Sequence, residues 1–269
     1  MRKLMYCLTS VMVVVMLLGF SIGVVQADNC VLPVFDDDNF TGPVDNPYLP
    51  TPATMSPDQV YVYEAEDEDG LIRDYQYFST DTKMITVDGE TVTAYVVYDV
   101  EWIWVEDLEV WRILEYTEDW HAWDDQGNFW YLGEDTEEYI YDDDWNFLYT
   151  IPAGSWEAGV DGALPGIILL ADPYPGACVQ QEYYEDEAED RGKVLRLNAK
   201  VSIEYADYVD CEETKEWTKL DPGNVEHKYY APGVGLVYIE ELKEKTVIFE
   251  LVDITNDTIT GITAAPAPL

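Results

Sequence analysis

Basic residues and histidine are scarce in this sequence. Its 269 residues hold 14 Lys and Arg against 55 Asp and Glu, with two His, for a formal net charge of −41. A surface this acidic repels phosphate, which excludes nucleic acid and anionic lipid as partners. Divalent cations, a cationic envelope surface or salt-rich solvent are what it tolerates. With only His121 and His227 present, a histidine-rich metal cluster is excluded. Hydrolysis by a Ser or Cys nucleophile also lacks its usual base. His121 between Trp120 and Ala122, and His227 between Glu226 and Lys228, both read as ordinary strand residues. Helical periodicity is missing too.

One long apolar run is present, from Val11 to Phe20, preceded by the basic Arg2 and Lys3 and followed by small and polar residues ending Val25-Gln26-Ala27. That is the pattern of a secretory signal peptide with cleavage after Ala27, not of an anchoring helix, because Ser21, Gly23, Asp28 and Asn29 follow at once. A secreted or periplasmic location is expected, and no integral membrane segment. Cys30 is not read as a lipid-attachment site, since Ala27, Asp28 and Asn29 lack the Leu-plus-small pattern. Removing residues 1–27 leaves 12 basic against 55 acidic residues, a net charge of −43. The charge is lopsided: residues 28–190 hold three cations against 41 acids, residues 191–269 nine against 14.

Acidity of this degree goes with disorder only where aromatic and apolar residues are few. Here aromatics make up 14% and hydrophobic residues 48%, so a folded core is expected. The mature chain has three cysteines, Cys30, Cys178 and Cys211; the favoured pairing is Cys178 with Cys211, both at the edges of strand-like segments.

After an irregular Pro- and Asp-rich lead (28–57), almost every segment alternates or is β-branched and aromatic, making residues 58–256 a single all-β domain with a flexible tail at 257–269. Expected strands include Gln59–Ala65, Leu71–Ser79, Lys83–Val87 and Thr91–Val100, the last two joined by Asp88-Gly89, a strong hairpin signal. A meander follows, with Tyr98, Val100, Trp102 and Trp104 on one face and Asp99 and Glu101 on the other, then Leu108–Tyr116, a break near Glu118, and Trp120–Trp123. Two hairpins share a chemistry, Asp124-Asp125-Gln126-Gly127-Asn128 and Asp142-Asp143-Asp144-Trp145-Asn146. Residues 152–177 form the longest loop, in which Gly166–Leu170 reads as a short buried strand or plug. Strands resume at Val179–Tyr184, then a helical turn at Glu185–Asp190, then five further strands. The expected fold is an antiparallel meander of about 12–16 strands forming a barrel or half-open barrel.

Gly133–Thr136, Gly154–Ala163 (GSWEAGVDGA), Gln181–Tyr184, Glu187–Asp190 and Tyr229–Val237 (YYAPGVGLV) together resemble a family of secreted, acidic, β-rich bacterial proteins of uncharacterised function. The last segment is also similar to one in half-barrel periplasmic folds of the lipoprotein-carrier type. The resemblance implies export and an all-β fold, and supplies no catalytic residues.

Three chemistries compete for the site. Asp124, Asp125 and Asn128, with the Gln126 carbonyl, offer hard oxygens around a Gly turn, a calcium loop without the bidentate Glu at position twelve. A hairpin turn explains the same residues. Paired carboxylates about 5–10 Å apart could cleave a glycosidic bond, and acids converging in a cleft with a raised pKa are the mark of that reading. The acid runs Glu64–Asp69 and Glu185–Asp190 read as solvated faces. Twenty-one Tyr and nine Trp suit either thick core packing or an aromatic-lined pocket for a hydrophobic or amphipathic ligand. The favoured function is a non-enzymatic exported binding protein or envelope surface component; a calcium-stabilised adhesive module and a carbohydrate-active enzyme are the alternatives.

Overall fold

The computed structural model describes residues 30–55, 59–67, 69–242 and 246–255. The expected signal peptide and tail lie outside these. Fifteen strands follow one another: β1 (Gln59–Glu66), β2 (Leu71–Val87), β3 (Glu90–Val105), β4 (Val110–Trp123), β5 (Phe129–Tyr141), β6 (Phe147–Ile151), β7 (Trp156–Glu157), β8 (Leu164–Leu169), β9 (Cys178–Gln180), β10 (Glu182–Tyr183), β11 (Arg191–Ser202), β12 (Asp207–Trp217), β13 (Val225–Ala231), β14 (Gly235–Glu241) and β15 (Val247–Thr255). They form one antiparallel sheet in the order β10-β8-β5-β4-β3-β2-β1-β15-β14-β13-β12-β11-β9, with β6 and β7 also paired to β5. The sheet curls into a half-open barrel, the expected fold class.

Local chemistry sets the long hairpins. Asp88 (φ 53°) and Gly89 (φ 93°) both take positive φ, the two-residue turn whose twist matches its strands. The strands it joins run longer than expected: Leu71–Ser79 and Lys83–Val87 are one strand with a register shift between Phe78 and Thr82. The expected break near Glu118 is likewise a register irregularity inside β4, between Asp119 and His121. β2 takes up two extra residues at the first irregularity and β5 one at the second, and each ladder continues past its bulge.

The two Asp-x-x-x-Asn hairpins do share one construction. The Asp124 and Asp142 amides donate to the Asn128 and Asn146 carbonyls. The fourth residue takes positive φ in both, Gly127 at 89° and Trp145 at 60°.

The two ends of the sheet belong to neighbouring residues. β9 ends at Gln180 beside β11, β10 begins at Glu182 beside β8, and Gln181 carries the chain across the gap. The expected strand Val179–Tyr184 is therefore split, each half pairing with a different edge. A Cβ on Gly166, in β8, would stand 2.3 Å from the Gln181 carbonyl carbon and 2.4 Å from the Gln180 and Gln181 oxygens, so only glycine lets this crossing lie against the sheet. In place of the expected helical turn, Glu185–Glu187 form a tight loop closed by a bridge between Tyr184 and Ala188.

The lead segment covers this seam. Val31 pairs in parallel with Val179 and Cys30 is disulfide-bonded to Cys178, occupying the open edge of β9. The expected Cys178–Cys211 pair is not formed: Cys211 is a free thiol in the main core. β11 lies between β9 and β12, and Cys178 faces Lys193 on it whereas Cys211 faces Ala199. Two strand spacings alone are about 10 Å, beyond the roughly 7 Å Cα reach of a disulfide. Further along, Phe35 and Phe40 pack on Trp130, the Asn46 side chain donates to the Gly127 and Leu170 carbonyls, and Leu49 enters the barrel.

Gly166→Ala is expected to lower stability by about 1–3 kcal/mol, the range for overpacking. Gly42→Ala, where a new Cβ meets nothing within 4 Å, is expected to change it by less than about 0.5 kcal/mol. Urea midpoints of the two variants, measured together, check the pair.

Candidate functional site

Alternation along β2–β5 sends one set of residues into the barrel, and many of them are acids. Asp74, Glu101, Glu115 and Glu138 face one another directly across four consecutive strands. The next row is Gln76, Asp99, Thr117 and Thr136; the one after it is Phe78, Val97, Asp119 and Glu134. Asp99 and Glu101 do point away from the face of Val100 and Trp102, as the alternation requires, but the face they occupy is the inside. Carboxylates directly opposite one another repel, and burial adds a desolvation cost to each charge.

Both effects are answered by holding protons. Burial, then the charges of Glu115 and Asp99, push Glu101 up to about 8. Burial and Asp99 push Glu115 to about 7. Asp74 is raised well above the carboxylate range by burial and by Asp99, with which it shares a hydrogen bond as the protonated partner. Asp99 in turn accepts the Gln76 amide at 3.0 Å.

A cavity of about 230 Å³ lies at the end of these rows. Its lining mixes the apolar Leu49, Phe78, Val97, Phe129, Val234 and Leu236 with the polar Asp119, His121, Tyr131, Glu182, Asp190 and Glu216. Among the described residues Lys228 is the only cation lining it, and it is engaged by Glu216 at 3.0 Å and Glu226 at 3.1 Å.

Proton counting at Tyr131 fixes one protonation state without any titration. Its hydroxyl lies 2.7 Å from an Asp119 oxygen and 2.8 Å from a Glu134 oxygen. A phenol has one proton to give, so one of the two acids carries its own proton and donates to the phenol. Asp119 is raised well above its ordinary range by burial and then by Glu134, and Glu134 to about 8 by burial and then by Glu182. Glu182, 7% exposed, is likewise lifted to about 8 by burial and then by Asp190.

His121, also 7% exposed, is wedged between Phe129 and Tyr131, with ring centroids at 4.5 and 4.9 Å. Its Nδ1 lies 3.2 Å from the Trp130 carbonyl, which requires a proton on Nδ1 and leaves Nε2 a bare acceptor. Burial lowers its pKa to about 3, so the ring stays neutral.

Asp124, Asp125 and Asn128 serve another purpose. Asp124, 2% exposed, accepts the Gln126 and Asn128 amides on one oxygen and the Asn128 side-chain amide and Trp130 indole on the other, at 2.7–3.0 Å. Asp125 accepts from Thr41 Oγ1 and the Gly42 amide, tying down the lead segment. The Asn128 side-chain oxygen accepts the Ala171 amide. Each of these oxygens already receives a protein N–H or O–H, so the set does not fit a calcium ion.

The acid runs are only partly solvated. Glu64 pairs with the buried Arg73, Glu189 is buried beside Lys219 and Arg191, and Asp190 lines the cavity. His227 pairs with Glu213 at 3.2 Å and does not line the cavity. Glu134, Glu182 and the cross-strand acid row were not singled out by sequence, because strand pairing brings them together and linear spacing does not.

No protein-family description matches the chain, and no curated protein matches it. Among solved structures, one similar chain is from Bacteroides fragilis, described as exported with a YmcC-like fold: 11% identity, 77% of this chain and 98% of that one covered, TM-score 0.37. Another, described as a lipoprotein of Parabacteroides distasonis, has 10% identity, 79% and 100% coverage, and TM-score 0.36.

Two outcomes follow from the geometry. The buried acids have folded pKa values near 7–8 against ordinary values of 4.5, so the folded chain binds more protons than the unfolded one in between. Stability is then greatest below about pH 4.5 as far as these groups decide it, and falls as pH rises toward 8. Urea midpoints should decline from pH 5 to pH 8, and Glu101→Gln should flatten the decline. Asp124→Ala strands four donors and is expected to cost about 2–4 kcal/mol, with added calcium giving wild type and variant equal shifts in melting temperature.

Proposed function

We propose that the chain is an exported, non-enzymatic binding protein that takes a small amphipathic ligand into its half-open barrel. The cavity carries this reading: about 230 Å³, lined by apolar and polar side chains together, inside an antiparallel sheet. Export is supported by the basic and apolar leader of residues 1–27 and by a disulfide between Cys30 and Cys178, a bond that persists in oxidising compartments.

One observation favours a second reading, a carbohydrate-active enzyme: several acids with raised pKa converge on the cavity. Against it, glycoside cleavage needs space for a sugar on each side of the bond, and 230 Å³ is below the roughly 300–1,000 Å³ of ordinary small-molecule sites. Nitrophenyl glycosides separate the two, since nitrophenol release lost in Glu182→Gln would establish the enzyme.

For the binding reading, 1-hexanol is a suitable neutral probe. At ten times its Kd it should stabilise the fold by about 1.4 kcal/mol, and Val234→Trp, which fills the cavity from its apolar side, should abolish that shift.

A further inference from the structure

The hydrogen-bond inventory of the cavity wall is one-sided. The Tyr61 and Tyr63 hydroxyls donate to the Val234 and Leu236 carbonyls, and the Tyr230 hydroxyl to Glu216. The Tyr131 proton is held between Asp119 and Glu134. Lys228 is committed to Glu216 and Glu226, and the Gln76 amide to Asp99. Apart from the Gln181 side-chain amide, these donors are spent inside the protein.

Acceptors are left over. His121 Nε2 is a neutral lone pair on a buried ring, with no partner for it among the described residues. Glu182 makes no ion pair among them and is met by a long 3.4 Å bond from the Asp190 amide and by the Trp156 indole. Asp119 is held by Tyr131 alone. A ligand that satisfies such a wall must bring donors and welcome carboxylates; a carboxylate, phosphate or carbonyl ligand meets repulsion.

A bare metal ion also likes acceptors, but it needs them at one point. Among the described residues the only group of three or more acid, His or Cys side chains with ligand atoms that close is Asp36, Asp37 and Glu90, away from the cavity. Here acids and apolar side chains share one lining, which suits a cationic N–H head on a hydrocarbon body. At about 30 Å³ per water, the space of about 230 Å³ corresponds to a ligand of roughly eight heavy atoms.

We infer that the cavity binds a small amphipathic primary amine, its ammonium head held by Glu182 and its hydrocarbon part against the apolar side chains of the same lining. This rests on the binding reading above and names the ligand class. The proton balance is explicit. The amine arrives as R–NH₃⁺, a protonated carboxyl of the cluster releases its proton to solvent, and the ammonium takes that proton's place as the positive partner of the carboxylate. The groups facing the head are Asp119 on β4, Tyr131 and Glu134 on β5, Glu182 on β10, Asp190, Glu216 on β12 and Lys228 on β13. Acidification competes with the amine for them.

The test is isothermal titration of the full mature chain with three six-carbon probes: hexylammonium, 1-hexanol and hexanoate. Hexylammonium is expected to bind one per chain, at least tenfold more tightly than hexanol, with no binding of hexanoate. Repeating the titration in buffers of different ionisation heat should show net proton release, and affinity should weaken at least fivefold from pH 7.5 to pH 5.5. Glu182→Gln should cut amine affinity about tenfold and hexanol affinity less than threefold, with a wild-type circular dichroism spectrum showing that the variant is folded. Hexanol equal to hexylammonium, or hexanoate tighter, overturns the amine assignment and leaves the binding reading standing. Amine binding at many sites, insensitive to Glu182→Gln, overturns it as general attraction to an acidic surface. No binding of any probe overturns both.

Discussion

The structure depends on a single close approach, Gly166 against the backbone of Gln180 and Gln181. A sheet whose two ends remain far apart is an open surface; one whose ends are consecutive residues of the same chain encloses a space. The crossing at Gln181 makes the second case, and it is possible because Gly166 has no side chain where it packs. Gln181 and Glu182 line the cavity directly beside this crossing. The seam and the site are therefore one construction, and the lead segment, bonded through Cys30 and paired through Val31, guards the edge that the crossing leaves open.

A second constraint is the placement of charge. Acidic proteins ordinarily turn carboxylates to water, where repulsion is screened. Here three rows of the inner face carry acids, and what makes that tolerable is protonation, because a neutral carboxyl is a modest hydrogen-bonding group where a carboxylate is an expensive one. Tyr131 between Asp119 and Glu134 is the clearest instance, since the hydrogen bonds there can be drawn only with a proton shared between the acids.

Much of the fold was legible. Alternating segments, Asp88-Gly89 and the paired Asp-x-x-x-Asn hairpins encode their geometry within a few residues, so local chemistry suffices to place them. What depended on distant partners was not legible. Val179–Tyr184 reads as one strand because nothing in it records that its halves join different edges. Cys178 and Cys211 looked equivalent in sequence, yet β11 separates them, and the partner lay far away at Cys30. Asp99 and Glu101 were placed on their correct shared face, but alternation cannot say which face is inside. Asp124, Asp125 and Asn128 were correctly singled out as a cluster of oxygens around a turn, and only the donors pointing at them showed that the protein itself occupies those oxygens.

The acid row of Asp74, Glu101, Glu115 and Glu138 runs across the strands, along the direction of the backbone hydrogen bonds. Its members belong to four strands and to no common segment, so natural selection acts on the row as a unit that no stretch of sequence contains. A chain that lost Glu101 to a neutral residue would remove one of the charges that raise Asp74, while burial still favours the protonated form there. Divergence among relatives should therefore leave its trace as correlated exchanges at these facing positions, with the total number of protons stored in the barrel preserved more faithfully than the identity of any one acid.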